Sequence, residues 1–228
     1  MPADGTVGLV HMTNDYGAGL ADSFTADFTA DGSTLCTTIG YEQTTTDFSG
    51  AVQGMIDNGC TSAVLISYAA DGAMILDEMA SQMWTGQVYG GDGIAEEGLA
   101  VDASSSVDGV IATKPSSGSM GTLGYVFAGL CAQSADCAGG IYTAEAFDGV
   151  VLMALSAFAQ MASPSATLSQ VIMATGQGLE GASGTISFLA NGDVPGAGYC
   201  VGDFTEDSST GDVAFTCNRS WDVINGLV

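Results

Sequence analysis

The most constraining feature of this sequence is an alternation. Strand-length segments, two of them apolar at almost every position, are separated by segments whose apolar residues recur at helical spacing. Thr6-Val-Gly-Leu-Val-His-Met12 reads as a buried strand, and the helix after it carries Leu20, Phe24 and Phe28 on one face. Residues 33–39 form a Thr-rich strand. Phe48, Val52, Met55 and Ile56 then mark a second helix that ends at Asn58-Gly59, and residues 61–67 are a continuously apolar third strand. A helix over 73–83 with Leu76, Met79 and Met83 inward, and strands at 87–90 and 109–113, continue the series. Strands with no polar face need cover on both sides, so this βαβαβ pattern predicts a parallel sheet between two helical layers.

The reading divides the chain into a complete α/β lobe over 6–113, a hinge or crossing region over 114–142, and a partial second lobe with a terminal hairpin over 143–228. The middle region is rich in Ser, Gly and Pro, with one short helix near 123–130. Beyond it, a long helix over 143–161 carries Phe147, Val150, Ala154, Leu155 and Phe158, and another spans 168–174. Strands follow at 184–189, 198–204 and 211–217, separated by Asn191-Gly192-Asp193 and a polar turn at 206–210. This half has helices without a parallel sheet of its own.

Charge and cysteines narrow the function. Lys114 and Arg219 are the only basic residues beside 26 acidic ones, a formal charge of −24. Such a surface repels phosphate backbones and anionic membranes, which excludes nucleic acid as a partner, and it resembles proteins exposed to high salt. The apolar runs, such as 63–66 and 150–155, are far shorter than the roughly 20 residues that span a bilayer. Six cysteines allow 15 connectivities. The pairs Cys36–Cys60, Cys131–Cys137 and Cys200–Cys217 are favoured, because they lie near adjacent strands, close a short loop and flank a hairpin, although unpaired buried thiols remain an alternative. No CxxC or CxxH spacing suggests zinc. Disulfides imply an oxidising compartment, periplasmic or extracellular, yet Met1-Pro-Ala-Asp-Gly5 leads into the first strand without a basic or apolar leader.

Ligands of open parallel sheets bind outside the carboxyl ends of the strands. The residues there are Thr13-Asn14-Asp15-Tyr16-Gly17, Tyr68-Ala69-Ala70-Asp71 and Gly90-Gly91-Asp92-Gly93. Tyr16, Tyr68 and Asp92 would converge on one crevice suited to a small zwitterion, the carboxylate pairing with an ammonium and the rings supplying walls. The alternative is architectural: Tyr16 packs at a helix start, Tyr68 packs under a loop and Asp92-Gly93 makes a turn.

Several stretches also carry a resemblance. Val7-Gly-Leu-Val-His-Met-Thr-Asn-Asp-Tyr-Gly-Ala-Gly-Leu-Ala-Asp-Ser-Phe24, the segment from Tyr41 that ends in Thr46-Asp47-Phe48-Ser49, Gly90-Gly91-Asp92-Gly93, Gly109-Val-Ile-Ala-Thr113, Tyr142-Thr-Ala-Glu-Ala-Phe-Asp-Gly149 and the Gly-Thr-Ile-Ser-Phe run within 181–194 follow one another in family order. Together they resemble type 1 periplasmic binding proteins of the branched-chain amino-acid family, which feed ABC transporters. The resemblance implies an α/β fold of two Rossmann-like lobes, an amino acid or amide bound between them without cofactor or catalysis, and docking on a membrane permease. It implies that Tyr16 and Tyr68 contact the ligand and that Asp92, where Glu is frequent, binds its ammonium. Family members are longer and place a carboxylate clamp in the first lobe. The chain is therefore expected to lack the amino-terminal part of that lobe, and a non-binding fragment or a receptor's sensory domain are the alternatives.

Other signals are weaker. His11, the sole histidine, sits inside a strand and reads as structural. Gly118-Ser-Met-Gly121 is no nucleophile elbow, and no phosphate-binding glycine motif follows a strand. The acidic stretch 203–212 lacks EF-hand spacing and reads as a solvated hairpin tip. Asn218-Arg-Ser220 fits a glycosylation sequon.

Overall fold

The computed structural model describes residues 6–30, 32–116, 121–134, 137, 142–194, 198–222 and 225–227. The first five residues, most of Gly118-Ser-Met-Gly121 and residues 138–141 of the crossing region lie outside these.

Strands β1 (Val7–Met12), β2 (Leu35–Tyr41), β3 (Ser62–Ile66), β4 (Gln87–Gly90) and β5 (Ile111–Pro115) alternate with helices α1 (Asp15–Ala30), α2 (Ser49–Asp57), α3 (Ala69–Ser81) and α4 (Glu97–Ala103). The pairs β1–β2, β1–β3, β3–β4 and β4–β5 are parallel. Residue parity explains the unbroken apolar strands. Val7, Leu9, Val64 and Ile66 face a cluster with Ala21, Phe24 and Phe28 of α1. Val10, Met12, Ala63 and Leu65 face the opposite cluster, with Val52 and Met55 of α2, Ile75, Leu76 and Met79 of α3, and Leu99 of α4. A strand buried on both faces leaves little room for polar residues, so apolar runs replace alternation.

Helices α5 (Gly124–Cys131), α6 (Thr143–Ala162) and α7 (Leu168–Gly176) follow, then the two-stranded ladder of β6 (Leu179–Glu180) and β7 (Thr185–Ile186), which is antiparallel. Thr167 and Gln170 form a capping box at the start of α7. The strand expected over 184–189 is thus only the two residues of β7. The hairpin of β8 (Tyr199–Glu206) and β9 (Val213–Asp222) and the short β10 (Gly226–Leu227) complete the large sheet, whose order is β10-β9-β8-β5-β4-β3-β1-β2.

Two compact units result. The first extends beyond residues 6–113: it comprises Met1–Lys114, Cys200–Trp221 and Leu227–Val228, and the second comprises Pro115–Tyr199 and Asp222–Gly226. All but the two end residues of the hairpin that the sequence grouped with 143–228 therefore lie in the first unit. Phe204, fully buried in that unit's core, supplies the reason.

The second unit is held by a buried carboxylate. Asp148 of α6, 1% exposed, accepts the Ala182 N–H (2.6 Å), the Ser183 N–H (2.8 Å) and the Ser183 hydroxyl (2.7 Å). These bonds fasten the β6–β7 turn to α6.

All six cysteines are paired, Cys36–Cys60, Cys131–Cys137 and Cys200–Cys217, with Cα separations of 5.7, 5.3 and 5.6 Å. These are the pairs favoured from the sequence, and they point to an oxidising compartment. Helix α6 is also long and apolar enough to cross a membrane by length and composition, with 17% of its most apolar window buried.

Candidate functional site

The strand order fixes where a site can form. From β1 the sheet proceeds to β2 on one side and to β3, β4 and β5 on the other, so the order reverses between β1 and β3. Loops leaving the carboxyl ends of two such strands diverge and open a crevice.

The chain leaves β1 through Thr13 and Asn14. The Asn14 side chain accepts the Gly17 N–H (2.8 Å) and caps α1. Gly17 is required by proximity: a Cβ there would lie 2.0 Å from the Met12 carbonyl oxygen. With the first turn of α1 pressed onto the end of β1, Tyr16 projects over the sheet edge. Tyr68 leaves β3 immediately before α3, and its ring stacks on that of Tyr16, with centroids 5.2 Å apart and planes 18° apart. Tyr68 remains 41% exposed, and the Asn14 amide makes a long contact to its hydroxyl (3.5 Å).

Asp92 follows β4. The Tyr16 hydroxyl donates to Asp92 Oδ1 (2.9 Å) and accepts the Gly93 N–H (3.1 Å). Glycine is needed at 93 because a Cβ would stand 2.4 Å from the Ser67 carbonyl oxygen and 2.8 Å from the Tyr16 hydroxyl. Burial, reinforced by the Asp92 charge, pushes the Tyr16 phenol well above its usual range, so it remains a proton donor. Tyr16 thus contacts both Tyr68 and Asp92, and its hydroxyl orients the carboxylate.

Two further groups at this edge were missed. Tyr41, the last residue of β2, sits opposite Met12 in register and is 6% exposed. Its hydroxyl donates to Asp71 Oδ2 in the first turn of α3 (3.4 Å). Burial, with Asp71 adding to it, raises the Tyr41 phenol far above the ordinary value, and burial also raises the Asp71 carboxyl. The available signal was a strand-terminal tyrosine and a carboxylate in a segment already placed at the sheet edge.

His11 stays within β1, with Nδ1 3.0 Å from the Met12 carbonyl oxygen. Among the described residues no group of three His, Cys, Asp or Glu side chains could hold a metal ion. At the 203–212 tip, Asp207 accepts the Ser209 N–H and hydroxyl, which hold its carboxyl below the usual range.

The fold is similar to that of type 1 periplasmic binding proteins. The leucine-binding protein LivK of Thermotoga maritima MSB8 superposes with a TM-score of 0.73 at 19% identity, covering 93% of this chain and 60% of that one. A periplasmic binding protein type 1 from Bordetella pertussis Tohama I gives 0.74 at 15% identity, covering 93% and 61%. The branched-chain amino-acid transporter substrate-binding protein LivJ of Streptococcus pneumoniae, determined in complex with isoleucine, gives 0.68 at 16% identity, also covering 93% and 61%. The chain thus spans about three-fifths of the length of these structures, and at such identities the likeness defines the fold. No protein-family model matches the sequence, and no curated protein does so either.

Proposed function

We propose that the protein is an extracytoplasmic binding protein that captures an amino acid for an ABC transporter, with Tyr16, Tyr68 and Asp92 forming one wall of the ligand cleft. The observation that carries this reading is the Tyr16–Asp92 hydrogen bond beside the stacked tyrosines, at the reversal point of the sheet. A carboxylate held by a neutral donor is a ready partner for an ammonium, and aromatic faces add cation–π attraction. The group suits binding, because it orients charge and offers apolar walls.

The three disulfides and the fold support a periplasmic or extracellular setting. Docking on a permease after closure of two lobes follows from the same reading. A thermal-shift screen against amino acids and small amides tests it. A ligand present at 100 times its dissociation constant adds about 2.7 kcal/mol, a visible rise in melting temperature. A shift with an α-amino acid, lost on removal of the α-amino group, supports the proposal. Shifts confined to ligands without an amino group contradict it.

A further inference from the structure

Beyond the ammonium partner, the crevice holds a second polar group. Tyr41 and Asp71 are joined by a hydroxyl-to-carboxylate contact of 3.4 Å, too long to satisfy the carboxylate fully. Ser67, the residue between β3 and Tyr68, is 1% exposed, and its Oγ has no hydrogen-bond partner among the described residues. The Ser67 side chain lies beside the Tyr41 hydroxyl and acts on it. Tyr68, stacked on Tyr16, is the cap residue of the helix whose first turn carries Asp71.

A buried hydroxyl, an exposed ring and a partly buried carboxylate thus follow one another after β3, at the edge where Tyr68 stacks on Tyr16. Among the described residues, the two basic side chains are engaged elsewhere. Lys114 lies over the Phe215 ring, 5.1 Å from its centroid, and Arg219 contacts Asn218 on β9. A desolvated carboxylate is costly unless a cation meets it. With −24 on the molecule, the surrounding field favours cationic ligands as well.

We propose that Tyr41, Ser67 and Asp71 form a second subsite of the crevice that receives a cationic side chain, so that the preferred ligand is a basic amino acid with an ammonium or guanidinium group. This assignment rests on the amino-acid reading above: Asp92 takes the α-ammonium and Asp71 takes the side-chain charge. A branched-chain residue would leave Asp71 desolvated and uncompensated, which is how such a subsite would discriminate.

Isothermal titration of the full chain with L-lysine, L-arginine, L-glutamine, L-leucine and L-isoleucine separates the possibilities. Lysine or arginine is expected to bind at least about tenfold more tightly than leucine, the worth of one charge-assisted hydrogen bond. Asp71→Asn is expected to weaken the basic ligand by at least about tenfold and to bring the lysine-to-leucine ratio towards one, with Tyr41→Phe acting in the same direction. Tighter binding of leucine, isoleucine or glutamine, or a ratio unmoved by Asp71→Asn, overturns the subsite while leaving the amino-acid reading intact. Binding of none of the five overturns the subsite, and the wider thermal-shift screen then decides the amino-acid reading.

Discussion

At the scale of single residues, the candidate site is a set of paired phenols and carboxylates whose protonation is set by burial. Tyr16 and Tyr41 both have folded-state pKa values raised above the ordinary tyrosine value of about 10. A raised value means the folded state holds its proton more firmly than the unfolded chain does. The associated stability is complete below about pH 10 and is lost as pH rises through that value towards the folded one. Alkaline titration of the folded fraction should therefore fall steeply above about pH 10, and Tyr16→Phe should flatten that fall. An unchanged alkaline limb in the phenylalanine variant would mean that Tyr16 is not desolvated. Tyr16, Tyr68 and Asp92 were legible in the sequence because each lies a few residues beyond a strand end. Tyr41 and Asp71 were not. The sequence ended β2 at residue 39, whereas the strand continues to Tyr41 and brings that ring to the same edge.

At the scale of elements, close backbone approach builds the crevice. Gly93→Ala drives a methyl group against the Ser67 carbonyl and the Tyr16 hydroxyl. It should cost about 1–3 kcal/mol in denaturant unfolding and disturb the Tyr16–Asp92 contact. Stability within about 0.3 kcal/mol of wild type would show that the β4 loop adapts. In the second unit, Asp148→Ala leaves two backbone N–H groups and a hydroxyl without their acceptor. Hydrogen exchange at Ala182 and Ser183 should rise sharply, with a cost of about 2–5 kcal/mol. Unaltered protection there would show that the β6–β7 turn is held by other groups.

The parallel strands and long helices were legible because continuous burial and helical spacing are local signals. Helix α4 escaped notice: seven residues give too few repeats for Leu99 and Ala103 to reveal a period. The partner of β8 also lay beyond local reading. Its buried Cys200, Gly202 and Phe204 mark a strand, but its sheet neighbour β5 lies some eighty residues earlier in the chain.

At the scale of the whole molecule, charge dominates. A net −24 on 228 residues with two basic side chains means self-repulsion in the compact state. Raising ionic strength from about 0.1 M to about 1 M shortens the screening length from about 10 Å to about 3 Å. The melting temperature should climb over that range, and a flat or falling curve would show that the acidic groups are spaced widely enough not to interact.

The central claim is that a carboxylate at the reversal point of the sheet receives a ligand's α-ammonium. Calorimetric titration of the best-binding amino acid and of its deaminated analogue, into wild-type protein and Asp92→Asn, addresses it most directly. The wild type should prefer the amino acid by at least about tenfold, and the variant should lose most of that preference. Equal discrimination by both proteins would contradict the account, because the ammonium would then be held elsewhere.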